Sequence, residues 1–234
     1  MKPDPKASIV VLTGAGISAE SGLRTFRDAG GLWEDHRVED VATPEAFRRD
    51  PGLVHRFYNA RRAQLGAVRP NAAHEALARL EAGWPSEVLL VTQNVDDLHD
   101  RAGSRNLVHM HGELLKVRCL RCESVRTWAG DLDASTACPA CGSAGGMRPH
   151  IVWFGEMPLE MPRIQAALER CGLFVAVGTS GNVYPAAGFV EWVPAWAHTV
   201  ELNLEPSSVS SSFFERRQGP ATRLVPDLVD ELLS

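Results

Sequence analysis

The sequence predicts an α/β protein built on a doubly wound parallel sheet with a smaller module inserted into it. Three observations predict this. Short apolar runs recur with little alternation, which suits parallel strands covered on both faces. Helical patterns separate those runs, as in a Rossmann-like fold. Two stretches, 36–69 and 112–150, break the alternation, and the second carries four of the five cysteines.

SIVVLT (8–13) reads as the first strand. GAGISAESG (14–22) follows it, and Gly14-Ala15-Gly16-Ile17-Ser18-Ala19 fits G-x-G-x-x-A. Such glycines let a backbone turn tightly and approach a pyrophosphate at a helix start, although an ordinary strand-to-helix turn has the same pattern. A dehydrogenase would next show a strand ending in Asp or Glu. LRTFRDAGGLWEDHR (23–37) does not look like one. It reads as a loop over a ligand, with Arg24 and Arg27 toward phosphate and Phe26 and Trp33 excluding water. A ribose carboxylate is expected much later, at Glu205. Residues 36–69 look helical around FRRD and VHRFYNARRAQL, and HEALARLEAG (74–83) is a helix capped by Asn71 and ended by Gly83. EVLLVT (87–92), LVHM (107–110), LFVAVG (173–178), HTVELN (198–203) and TRLV (222–225) are expected strands; MPRIQAALERCG (161–172) and PDLVDELLS (226–234) are expected helices.

Cys119-x-x-Cys122 and Cys138-x-x-Cys141 have the spacing of a zinc ribbon. Two such turns close a tetrahedron of four thiolates, leaving no open position, so the zinc would be structural. Two redox pairs are the poorer alternative, because neither CxxC opens a helix in a βαβ unit. Cys171 is expected as a buried apolar residue. The division predicted is 1–35, 70–111 and 151–234 for the Rossmann-like domain, with 36–69 and 112–150 forming a small domain of helices and zinc ribbon.

About 44% of the 234 residues are hydrophobic, enough for a substantial core. The net charge of -5 and the lack of a clustered basic face argue against nucleic-acid binding. No apolar run is long enough to span a membrane, and no signal peptide is read at the N-terminus. A cytoplasmic protein is expected.

Taken in order, GAGISAESGLRTFR, TQNVDDLH, HMHGE, the CxxC pairs, MRPHIVWFGE, GTS and NLEP resemble the sirtuin family of NAD-dependent protein-lysine deacylases, and most nearly its bacterial class III, desuccinylase-like branch. The resemblance implies that Gln93, Asn94 and Asp96 line the nicotinamide and ribose pocket, with His111 as general base and Asn94 and Asp96 beside it in the catalytic set. It places Ala15, Glu20, Arg27 and Trp33 in or beside the NAD-binding segment, together with Gly178, Thr179 and Ser180, Asn203 and Glu205 at the adenosine ribose, and Ala221 on the adenine side. His109 is expected to be structural and Asp97 a helix-start residue. Val152, Trp153, Phe154, Gly155 and Glu156 resemble the segment that pairs with substrate peptide as an added strand. Tyr58 and Arg61, spaced i and i+3, resemble the pair that binds a succinyl or malonyl carboxylate, and Ala42 a small residue that widens the acyl pocket; an ordinary solvated helix face is the alternative. The implied reaction has the acyl oxygen attack NAD as nicotinamide leaves, after which His111 deprotonates a ribose hydroxyl. Its products are free lysine, nicotinamide and O-acyl-ADP-ribose. The implied partners are acylated-lysine proteins, with the chain a monomer. ADP-ribosyl transfer, or a zinc-ribbon nucleic-acid module, are the rival readings.

Overall fold

The computed structural model describes residues 4–23, the backbone of 32–33, and 36–234. Arg24, Phe26 and Arg27 lie outside the described residues, as does the side chain of Trp33.

β1 (Ile9–Thr13) is buried at all five positions and leads into the short helix α1 (Ala15–Ala19). A two-residue ladder, β2 (Leu32–Trp33) with β3 (His36–Arg37), precedes α2 (Val38–Val41), α3 (Pro44–Arg49) and α4 (Pro51–Gln64). Thr43 caps α3 by accepting from Ala46 N, and Asp50 caps α4 by accepting from Leu53 N, each followed by a proline in the first turn. α5 (Ala72–Gly83) starts in a capping box of Asn71 and His74. Then come β4 (Val88–Thr92), α6 (Leu98–Ala102), β5 (Leu107–His109), β6 (Gly112–Cys119), β7 (Val125–Thr127), β8 (Met147–Ile151) and α7 (Met161–Leu168). β9 (Leu173–Val177), β10 (His198–Asn203), β11 (Glu215–Gln218) and α8 (Ala221–Leu233) complete the chain.

Six strands form one parallel sheet in the order β11-β10-β9-β1-β4-β5. From β1 the chain winds outward first through β4 and β5, then through β9, β10 and β11. The boundary between β1 and β9 is therefore the topological switch point, where such sheets open a crevice beyond their carboxyl ends. Ile9, Val11, Leu80, Val225 and Val229 belong to one apolar cluster with α5 and α8. Val10, Leu12, Ile164, Leu168 and Phe174 belong to a second, on the opposite face. Both faces are covered, which is why the strands read as unbroken apolar runs.

One expectation is corrected. TRLV (222–225) is not a strand but the first turns of α8. Its apolar residues belong to a helical stripe of Ala221, Val225, Leu228, Val229 and Leu232, and Pro226, which resembles a helix start, lies inside the helix. The edge strand is instead β11, the polar run ERRQ, paired on one side only.

A second sheet, β7-β6-β8, is antiparallel and carries the cysteines. α2, α3 and α4 pack on it through Val41, Phe47, Phe57 and Tyr58 against Leu114, Ile151 and Trp153. Arg62, on α4, is buried and donates to Leu114 O, Asn59 Oδ1 and Gly130 O, and Asn59 exchanges two hydrogen bonds with the backbone of Leu132. The helices and the cysteine sheet are thus held together by polar bonds as well as by packing.

Candidate active site and cysteine centre

The glycine loop and the turn after β9 meet at the switch point. Gly14 N donates to Val177 O (2.9 Å) and Gly16 N to Gly178 O (2.8 Å). A Cβ on Gly16 would lie 2.7 Å from Gly178 Cα, and one on Gly178, itself at φ +62°, 2.5 Å from Ile17 N. No side chain fits between these backbones. Thr179 accepts from Gln93 Nε2 at its hydroxyl (3.2 Å) and from Asn203 Nδ2 at its carbonyl (2.9 Å). Ser180 O accepts from Ser208 N (3.0 Å). The GAG, TQN, GTS and NLE segments are therefore joined at one end of the sheet. Ala15 and Glu205 are exposed there, and Ala221 is buried at the start of α8. Glu20 accepts from Thr222 N and Thr222 Oγ1, tying α1 to α8.

The polar segment beyond β4 is held almost entirely by uncharged groups. Thr92 Oγ1 accepts from Thr13 Oγ1 (2.9 Å) and Asn94 N (3.0 Å). Asn94 Nδ2 donates to Gly14 O (3.0 Å) and Ser18 Oγ (3.1 Å). Asp96 accepts from Leu98 N (3.1 Å), so it helps start α6, whose flanking residue is Asp97. Burial raises the Asp96 carboxyl pKa despite that bond and one from Ser18.

His111 Nδ1 lies 3.1 Å from Gln93 O. A carbonyl can only accept, so Nδ1 carries the hydrogen and Nε2 the lone pair. Burial lowers the His111 pKa, so the ring is neutral at pH 7. Its carbonyl accepts from Val152 N (2.8 Å). Gly112 follows at φ +83°, where a Cβ would meet His150 O at 2.0 Å. Only glycine fits there. His109 behaves oppositely: burial pushes its pKa down, but the Asp100 carboxylate at 3.0 Å outweighs that and the net shift is upward.

At the other end of the site, Tyr58 and Arg61 on α4 are 0% and 8% exposed, so this is not a solvated helix face. Tyr58 Oη accepts from Trp153 Nε1 (2.9 Å), and Phe154 N donates to Ala42 O (3.0 Å). In the run from Val152 to Glu156 the side chains divide. Phe154 is half exposed, whereas Trp153 is buried and Glu156 is gripped by Arg148 through both carboxylate oxygens (2.7 and 2.9 Å). Gly155, at φ +89°, forms the bend.

The Sir2 family model matches residues 14–185, which take in the GAG, TQN, HMHGE, WFGE and GTS segments and the four cysteines and stop short of Asn203 and Ala221. The chain belongs to the Sir2 family. An NAD-dependent protein deacylase of Pasteurella multocida is 61% identical over 228 residues, covering 96% of this chain and 97% of that one. A solved Sir2 homolog–NAD complex is 39% identical, with a TM-score of 0.88 over 97% of this chain and 91% of the other. A Sir2 protein bound to acetylated peptide is 28% identical, with a TM-score of 0.79 over 97% and 94%.

In this Sir2-family chain the cysteine spacing becomes a tetrahedral set. The Cys119 and Cys141 sulfurs are 3.9 Å apart, those of Cys122 and Cys138 3.7 Å, and all four lie within 4.8 Å of one another without a disulfide. Four sulfurs about 2.3 Å from a central zinc stand roughly 3.8 Å apart, so the residues fit that ion. The two CxxC turns repeat one geometry: Glu123 N donates to Cys119 O and Gly142 N to Cys138 O, with φ of +59° and +70° at the donors. Arg121 N and Ala140 N point to the Cys119 and Cys138 sulfurs, both at 3.4 Å. Cys171 is buried, its thiol pushed up to about 11 by desolvation.

Sequence reasoning missed a buried pair beneath the segment that follows β4. His99 Nε2 lies 3.0 Å from Thr13 Oγ1, His74 bonds the Asn71 cap, and the two imidazoles are 4.7 Å apart. Burial lowers the pKa of both, His74 to about 4, so both are neutral. Their only sequence signal was a histidine within an otherwise apolar helix pattern and another at the end of TQNVDDLH.

No helix among the described residues is long and apolar enough to cross a membrane.

Proposed function

We propose that this chain is an NAD-dependent protein-lysine deacylase that removes succinyl and malonyl groups as well as acetyl. The observation that carries the deacylase reading is the pairing of His111 Nδ1 with Gln93 O, which aims a neutral Nε2 as a base from the wall that also holds Asn94 and Asp96. NAD, when bound, supplies the electrophilic carbon and nicotinamide as leaving group. Gly14, Ala15, Gly16, Gly178, Thr179 and Ser180 hold its phosphates. Asn203, Glu205 and Ala221 hold the adenosine side, with Glu20 bracing α8. Gln93, Asn94 and Asp96 orient the nicotinamide ribose, and His111 takes the proton from its hydroxyl. By their match to the family's motif, Phe26, Arg27 and Trp33 belong to the NAD-binding set. The four cysteines hold one structural zinc that supports a small domain of residues 36–69 and 112–150, set against an NAD-binding domain of 1–35, 70–111 and 151–234. A four-thiolate site suits a reducing compartment, which supports a cytoplasmic protein. We read the chain as a monomer.

The acidic-acyl preference is supported by the burial of Tyr58 and Arg61 on one side of α4, above the small Ala42. A buried guanidinium favours a substrate that supplies a carboxylate. Val152 to Glu156 offer backbone to the substrate peptide, with Phe154 at its surface.

Mass spectrometry of acetyl- and succinyl-lysine peptides incubated with NAD tests both parts. Loss of both acyl groups that requires NAD and disappears in His111→Ala is the expected result. If neither group is lost although NAD binds, deacylation is wrong and ADP-ribosyl transfer is the reading to pursue.

A further inference from the structure

β4 and β5 end side by side: Thr92, the last residue of one, is in register with His109, the last residue of the other. Two segments leave from that point. One runs on from Thr92 and carries Gln93, Asn94 and Asp96; the other runs on from His109 and carries Met110 and His111. The two are laced together. Met110 N donates to Thr92 O (3.0 Å), His111 Nδ1 to Gln93 O (3.1 Å) and Leu114 N to Val95 O (2.8 Å). Asp96 then starts α6, whose side chains reach three different elements. His99 meets Thr13 on β1, Arg101 donates to Leu65 O (3.1 Å) and Val68 O (2.6 Å) between α4 and α5, and Asp100 Oδ2 accepts from His109 Nε2 (3.0 Å) on β5. The last bond returns α6 to the strand end where the segment began. The His109 side chain is 10% exposed and that of Asp100 50%.

We infer that His109 is a positioning residue: by holding Asp100 it closes residues 93–100 against the strand end that carries His111, and so fixes Asn94 and Asp96 relative to that base. The inference rests on the deacylase reading above. A helix as short as α6 is not stable by itself, so its place is set by what its side chains grip. Because Asp96 is bonded to Leu98 N, a shift of α6 carries the Asp96 carboxyl with it. The His109 bond is suited to prevent that shift. An ionised carboxylate only accepts, so Nε2 carries the hydrogen and the bond is charge-assisted. Burial lowers the His109 pKa, but Asp100, Glu113 and the Asn94 backbone raise it, and the net shift is upward. An imidazole so nearly buried cannot exchange this partner for water without cost. Neither His109 nor Asp100 has to touch NAD or substrate; the pair acts through Asn94, Asp96 and His111.

The test is a double-mutant cycle on the single-turnover rate of deacylation, with NAD binding measured beside it. His109→Ala and Asp100→Asn are each expected to lower that rate about tenfold, short of the ~100-fold that a full 1 Å misplacement costs. The factor should be the same for acetyl- and succinyl-lysine peptides. The Kd for NAD and the KM for peptide should hardly move, since the loss is one of geometry in the reacting step. The double variant should match the single ones, because each removes the same bond. His109→Gln, whose amide can still donate to Asp100, should regain most of the rate. A merely structural histidine would lower the melting temperature and leave the rate of the folded protein unchanged, and that result overturns the inference. Losses that multiply in the double variant, or that appear in KM or in NAD binding instead of the rate, overturn it too. Should His109→Ala not fold, Asp100→Asn at the half-exposed partner carries the test, and an unchanged rate there overturns the inference. A wild-type protein that binds NAD yet removes neither acyl group ends the deacylase reading, and this inference with it. A deacylase indifferent to both substitutions overturns the inference alone.

Discussion

The two ends of the candidate site are held by different physics. Around the segment that follows β4 the groups are neutral and bonded to backbone or to one another: Asn94 to Gly14 O, His111 to Gln93 O, Thr13 to Thr92 and His99. Around α4 and residues 148–156 the structure buries charge, with Arg148 against Glu156 and with Arg61 and Arg62 on α4. Neutral groups fixed by backbone keep their geometry across a wide range of conditions. Buried charges are costly without partners. The difference teaches where generality and selectivity reside: the loop suits a step common to every acyl group, and the charged wall suits discrimination among them.

The most severe way to separate the two ends is to remove the zinc site. Arg62 and Asn59 bond α4 to Gly130 and Leu132 on the cysteine module, so the placing of α4 depends on that module's fold. Cys141→Ser, or a strong chelator, is expected to abolish deacylation of every peptide and to lower the melting temperature, since structural zinc contributes on the order of 10 kcal/mol in small zinc domains. The circular dichroism of the parallel-sheet half should largely persist. Metal analysis showing no zinc in the active wild-type protein would remove the premise.

At the neutral end, His111→Ala should lower kcat about 10³-fold, within the usual range for a general base, and by the same factor for acetyl and succinyl peptides. NAD binding measured by calorimetry should remain. A loss confined to one acyl group would break the comparison, because it would make His111 a selectivity residue. At the charged end, Arg61→Met should change the succinyl-to-acetyl ratio of kcat/KM by about 10²-fold, as expected when a site built for a polar group loses its partner. An unchanged ratio would return α4 to a structural role.

Much of this was legible from sequence wherever both faces of an element are buried. β1, β4 and β9 are unbroken apolar runs because helices cover both sides of the sheet. β11 was not legible, because an edge strand paired on one side can be as polar as ERRQ. The start of α8 was misread because Thr222, Leu224 and Val225, β-branched or aliphatic and just before a proline, look alike in a strand and in a helix turn. In the candidate site, the cysteine spacing carried its own geometry, since two CxxC turns have few other uses. The inward turn of Trp153 had no such signal. WFGE reads as a run of groove-facing aromatics, and only the pairing of Glu156 with Arg148 and Trp153 N shows which ring is tucked in.

The smallest expected effect sharpens the claim that the loop rests on neutral groups. His74 titrates near 4 when folded and near its ordinary 6.5 when unfolded, and burial lowers His99 well below its ordinary value too. The unfolded chain therefore binds more protons between those values, so stability is full above pH 6.5 and falls as the pH drops toward 4. His55, His111 and His150 are lowered too and add to the same slope. His109 is raised by Asp100, so its contribution lies below 6.5 and is lost as pH rises through its folded pKa. His74→Gln isolates one proton, because glutamine can keep the reciprocal bond of the capping box without titrating. Urea unfolding at stepped pH from 7 to 5 should then give a shallower stability slope, by up to ~1.4 kcal/mol per pH unit. A slope equal to that of the wild type would mean that His74 is charged in the folded protein and that the loop does not rest on a neutral base.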